Sequence, residues 1–182
     1  RRDRRGFLDY CLFIMFFPHL VAGAILRDWE FFPQLYKGIP EILARQGFPG
    51  LVLLILGIAK KILFAENASA IANPIFAAGA GQLTTFDAWL GTVAFALQVY
   101  FDFSAYSDMA LGLGLLFGIR LPVNFLSPFR STSVIDFWRH WHITLGRYLR
   151  DYVYFPLGGS RKGTFRTMLN LFATMLVSGI WH

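Results

Sequence analysis

The feature that most constrains this chain is that its apolar runs keep being interrupted. They lie near residues 8–26, 48–65, 68–81, 86–101, 109–119 and 167–181, and they are short or carry Pro18, Gly23, Lys60, Lys61, Pro74 or Asp87. A simple spanning helix needs about 20 apolar residues. Irregular backbone at membrane depth is tolerated only where it is buried in protein or lines a wet cavity, because lipid cannot satisfy a freed amide. The sequence therefore predicts an all-α, polytopic membrane protein of tilted, broken and re-entrant helices around an internal cavity. A composition of 55% hydrophobic, 18% aromatic and only 15% charged residues disfavours the rival reading, a soluble all-helical core.

Charge placement supports a membrane and argues against nucleic acid. Residues 1–5 hold four Arg against one Asp, residues 6–119 five basic against eight acidic, and residues 120–166 eight basic against two acidic. Basic clusters that bracket apolar runs follow the positive-inside pattern, which places Arg1 to Arg5 and much of the later basic stretch on the cytoplasmic side. A nucleic-acid surface would need one exposed basic face instead. The single cysteine, Cys11, excludes an internal disulfide and a thiolate metal cluster. The chain opens on Arg1 without an initiator Met and stops at His182 after an apolar run. The expectation is part of a single domain over residues 1–182, truncated at both ends, with its last carbonyls satisfied by chain beyond.

Turn-rich punctuation at Gly38-Ile39-Pro40, Gly47 to Gly50, Asn73-Pro74 and Gly158-Gly159-Ser160 predicts loops. Gly114 and Gly118 form a small-xxx-small pair where another helix could approach. The segment Tyr100 to Asp108 sets acids and hydroxyls inside an apolar neighbourhood. On a helix Tyr100, Ser104 and Ser107 with Asp108 share one face, and Asp102 and Tyr106 another. Such groups either line a cavity or act as polar glue and charge partners for nearby arginines.

The densest constellation runs from Asp136 through Trp138, Arg139, His140, Trp141, His142 and Thr144 to Arg150, Asp151 and Tyr152. Ser133, or Asp136 with its early acid, can open a helix there. At 100° per residue His142 lies with Trp138, Leu145 and Leu149 while His140 points away, so the two histidines cannot share a metal. Arg and aromatics at this density predict an interfacial helix. In the last run Ser178 sits four residues before His182 on one face. Neutral imidazole is a natural base for a hydroxyl attacking a thioester. A Ser178–His182 relay is conceivable, although no local carboxylate is spaced to orient the ring.

Four ordered motifs, Phe101-Asp-Phe-Ser-Ala-Tyr-Ser-Asp-Met-Ala110, Asp136-Phe-Trp-Arg-His-Trp-His142, Leu149-Arg-Asp-Tyr-Val-Tyr-Phe-Pro-Leu-Gly-Gly159 and Ser178-Gly-Ile-Trp-His182, resemble the membrane-bound O-acyltransferase family. Phe16-Phe17-Pro18-His19-Leu-Val-Ala-Gly23 resembles an upstream family segment. The likeness runs in order along nearly the whole chain, and its nearest branch looks like the bacterial one that O-acetylates alginate. It implies a ring of broken helices around a funnel crossing the membrane. Acyl groups, here acetyl, would pass from a cytoplasmic donor, acetyl-coenzyme A or an acyl carrier protein thioester, to a hydroxyl of an exported polysaccharide. The implied catalytic residues are His182 and His142, with no bound cofactor and no metal. Membrane lipid and an extracytoplasmic acyltransferase are the implied partners, with a multi-pass place in the inner membrane. D-alanyl transfer toward teichoic acid and a non-catalytic acyl-transport or scaffold subunit are the alternatives. His140 looks like a substitute for Arg. Ala24 stands where the relatives often have Pro, which puts local geometry in question. These residues alone are expected to be inactive.

Overall fold

The computed structural model describes residues 6–20, 23–37 and 39–182. Arg1 to Arg5, Val21, Ala22 and Gly38, with the expectations attached to them, lie outside the described residues. The described chain is all-α, without strands, and falls into two compact units, one ending at Pro122 and the other beginning at Val123.

The first unit contains α1 (Phe7–Met15), a 3-10 turn at Phe17–His19, α2 (Asp28–Lys37), α3 (Ile39–Lys60), α4 (Glu66–Ala77) and α5 (Thr85–Leu116). Pro18 opens the 3-10 turn, which it can do without losing a needed donor. Gly23 is required by close approach: a Cβ there would stand 2.3 Å from the Cα of His19. The next residue, Ala24, is buried.

The largest departure from expectation is continuity. Lys61–Ala65 forms a π-helical turn whose flanking residues keep right-handed helical angles, so α3 and α4 make one rod. Lys60, Lys61 and Pro74 do not interrupt it, nor does the expected turn at Gly47 to Gly50. Pro40–Ala77, 38 residues with mean hydropathy 2.0, is the one described helix long and apolar enough to cross a membrane. At ~1.5 Å per residue it reaches ~57 Å, longer than a ~30 Å hydrocarbon core. Asp87 likewise does not break a run. It begins α5 through a capping box, in which its amide donates to Thr84 Oγ1 (3.2 Å) and Thr84 N donates to its carboxylate (2.9 Å).

α5 lies antiparallel against this rod. A Cβ on Gly112 would meet Gly50 O at 2.6 Å, the Phe64 and Phe101 rings stack at 4.9 Å, and Phe76 meets Phe95 at 5.4 Å further on. Gly112 and Gly50, rather than the expected Gly114 and Gly118, let the helices approach. Gly118 instead takes φ +73° and ends α5, with Ile119 N donating to Gly114 O (2.8 Å). Two acids of α5 are paired across this seam, Asp108 with Lys60 and Asp102 with Lys61 (2.6 Å), while Lys61 also pairs with Glu66 (3.0 Å) on its own rod. They join the helices through lysines, not arginines, while Ser104 and Ser107 are buried. A small cluster of Leu26, Phe31, Phe32, Ala110, Ile119 and Leu121 forms the core. Ile55, Leu63 and Phe64 remain exposed, as a lipid-facing helix permits.

The second unit holds α6 (Val134–His140), α7 (Ile143–Leu149), a π-helical turn at Arg150–Tyr154 and α8 (Gly163–Trp181). Gly158 and Gly159 adopt φ +108° and +57° in the connection to α8. Asn170, buried on α8, donates from Nδ2 to Gly159 O at 2.9 Å and ties that loop down.

Candidate active site

Both candidate histidines belong to the second unit. Ser133 caps α6 as its sequence predicts, its Oγ accepting from Asp136 N at 3.1 Å. The helix then stops early. Trp141 is extended (φ −104°, ψ 127°), and His142 is left-handed at φ +42°, ψ +55°. The single helix expected through residues 133–152 is therefore two seven-residue helices with His142 at the break. The shared face of His142, Trp138, Leu145 and Leu149 falls with it, as does the opposed placement of His140.

The cause is competition from distant backbone. Leu126 N donates to His140 O (3.1 Å) and Ile143 N donates to Asn124 O (3.0 Å), so residues 124–126 take over bonds that a continuous helix would make. The extended Trp141 places its ring against Phe125 (5.1 Å), Phe137 (5.5 Å) and Phe129 (6.5 Å). Left-handed backbone costs a non-glycine residue about 1–2 kcal/mol and persists where surroundings over-determine it. Ser127, φ +50°, is the other such residue among those described.

His140 Nδ1 lies 2.8 Å from Asp136 O, and since a carbonyl only accepts, Nδ1 carries the proton. Together with Leu126, Ser127, Arg130, Ser131 and Asp136 it lines a cleft of about 440 Å³. His142 is partly buried, and neither flanking helix is long enough to cross a membrane. Burial pushes its imidazole down to about 4, with nearby His182 adding to the effect. It is thus uncharged at neutral pH and offers hydrogen bonds rather than a cation.

His182 is exposed at the end of α8, its Nδ1 2.7 Å from Ser178 O. The carbonyl fixes the tautomer: Nδ1–H donates and Nε2 keeps the lone pair. A backbone group, rather than the Ser178 hydroxyl of the conceivable relay, orients the ring. That arrangement leaves the Nε2 lone pair available to accept a proton.

A model of the membrane-bound O-acyltransferase family matches residues 1–182. The chain belongs to the membrane-bound O-acyltransferase family. It is 46% identical over 178 residues to the probable alginate O-acetylase of Pseudomonas putida, covering 98% of this chain and 36% of that protein. It is 42% identical to the peptidoglycan O-acetyltransferase of Helicobacter pylori (97% and 33%), and 31% identical to the teichoic acid D-alanyltransferase of Bacillus subtilis (93% and 45%). The chain therefore spans about a third of the length of the O-acetylating relatives.

Sequence reasoning missed Asn124 and the clamp at Asn170, and it gave Thr144 no role. Thr144 Oγ1 donates to Asn124 Oδ1 at 2.6 Å, both residues being buried. An Asn just after Leu121-Pro122 carries no periodic signal. The signal that was available was the choice of Thr in the turn after His142.

Proposed function

We propose that the protein transfers an acyl group, acetyl in particular, from a cytoplasmic thioester to a hydroxyl of an exported polysaccharide such as alginate, within a multi-pass protein of the inner membrane. The observation that carries this reading is the His182 ring, held by Ser178 O so that Nε2 keeps its lone pair, with neutral His142 within electrostatic reach. Higher identity to the proteins named as O-acetylases than to the D-alanyltransferase supports acetyl.

In this reading Nε2 of His182 takes the proton of the acceptor hydroxyl as its oxygen attacks the thioester carbonyl carbon. The tetrahedral intermediate collapses, the C–S bond breaks, and the imidazolium returns its proton to the leaving thiolate. His142 orients a reacting group by hydrogen bonding. The donor is acetyl-coenzyme A or an acyl carrier protein thioester, and the acceptor is reached through a funnel crossing the membrane, directly or by way of an extracytoplasmic acyltransferase. D-alanyl transfer is the second reading, favoured by the 31% identity to the teichoic acid enzyme. A non-catalytic acyl-transport or scaffold subunit is the third.

The test is the intact protein in sealed vesicles, with labelled acetyl-coenzyme A, acetyl carrier protein or D-alanyl carrier protein inside and polysaccharide outside. Acetyl label on the polysaccharide is expected. Transfer of D-alanine alone would replace the reading with the second, and no transfer without an added partner enzyme would favour the third.

A further inference from the structure

We propose that Asn124 and Thr144 are positioning residues for His142, holding the left-handed kink on which its imidazole is presented. The proposal rests on the reading of His142 as part of the transfer site. His142 occupies a backbone conformation that a histidine does not adopt by preference, so something must hold it there. Two of the backbone bonds that bracket it reach one short segment, residues 124–126. Upstream, His140 O accepts from Leu126 N at 3.1 Å; downstream, Ile143 N donates to Asn124 O at 3.0 Å. The side chains close the clasp, with Thr144 Oγ1 donating to Asn124 Oδ1 at 2.6 Å.

Burial gives this clasp its strength. Asn124 is 1% exposed and Thr144 3%, so water cannot substitute for the bond between them. Asn124 binds α7 twice, once through its backbone carbonyl and once through its side chain, at consecutive residues Ile143 and Thr144. A residue with only one of those acceptors would let α7 rotate about the other. The amides and hydroxyl of a first helical turn have no intrahelical partner, which is why the start of α7 can be captured from outside. If the clasp opens, residues 134–149 are free to regain a continuous helix, and the imidazole swings to another face.

The test uses the intact protein carrying Thr144→Val, Thr144→Ser, Asn124→Ala, His142→Ala or the Thr144→Val/His142→Ala pair. Transfer kinetics are read alongside the 15N signals of the His142 imidazole, assigned by their loss in His142→Ala. Valine matches threonine in shape and removes the donor. It is expected to lower kcat about 10- to 100-fold with KM little changed, the scale of a misplaced reacting group, and to shift the His142 signals. Serine should restore both to within about threefold, since the hydroxyl donor is retained. Asn124→Ala should displace the same signals from the other side of the bond, which keeps the test open if the valine variant folds poorly. In the His142→Ala background, Thr144→Val should cost nothing more. Unmoved His142 signals in both Thr144→Val and Asn124→Ala, or losses that multiply in the double variant, would overturn the proposal. Full activity of His142→Ala would instead remove His142 from the transfer site, while the imidazole signals would still decide whether the clasp positions it.

Discussion

Replacing Lys60 by Met should strand Asp108 on the seam between the long rod and α5, and the size of the penalty reports where that seam lies. The two side chains are each 26% exposed and pair directly. At a wet surface such a pair contributes about 0.2–1 kcal/mol. Breaking a fully buried pair costs about 3–5 kcal/mol, because a desolvated charge is left behind. A charge at the centre of a membrane helix carries a similar insertion penalty of ~2.5–3.5 kcal/mol. With a quarter of each side chain still exposed, about 2–3 kcal/mol is expected for Lys60→Met, or ~30- to 150-fold in the unfolding equilibrium. The double change Lys60→Met/Asp108→Leu should recover most of it, since an apolar pair of similar volume needs no charge partner. The assay is reversible unfolding of the intact protein in lipid bicelles, run as a double-mutant cycle. A coupling below about 1 kcal/mol would place the pair in water and refute the reading of Pro40–Ala77 as a membrane helix.

Gly112→Leu should destabilise the intact protein by at least about 1–3 kcal/mol by overpacking against Gly50 and Leu54, whereas Gly79→Ala, with open space around it, should not; thermal unfolding compares them. His140→Arg should leave acyl transfer within about threefold while His142→Ala lowers it severely, because the exposed cleft around His140 accommodates a longer cation; the reverse order would contradict the assignment. His142 should titrate near 4 by 15N NMR. Its folded value lies below the unfolded ~6.5, so protonation favours the unfolded chain, and stability should decline as pH falls from about 6.5 toward 4.

What could be read from the sequence was mostly local. Ser133 and Asp136 mark the start of α6 because a cap and its amide lie within one turn. The helical character of the apolar runs follows from their composition, and the motif histidines from their neighbours. Most of the failures have a different cause. Lys60 and Lys61 looked like breaks because their partners, Asp108 and Asp102, are distant in sequence and become neighbours only when α5 packs on the rod. The kink at His142 was hidden because Asn124 captures the start of α7 from beyond α6, a separation that periodicity does not register. Gly118 resembled a packing glycine, yet its freedom at positive φ is used to end a helix. At the lysines and at His142 a tertiary contact outweighed a local preference, whereas at Gly118 a local helix end shares its spacing with a packing site.

The role of His182 is tested most directly by transfer of labelled acetyl groups in the intact protein carrying His182→Gln. Glutamine can still donate toward Ser178 O but has no basic nitrogen to take the hydroxyl proton. A fall of about 10²- to 10⁴-fold is expected, with the protein still monodisperse in detergent and inserted in the membrane. Unchanged transfer by that variant would contradict the assignment of His182 as the base.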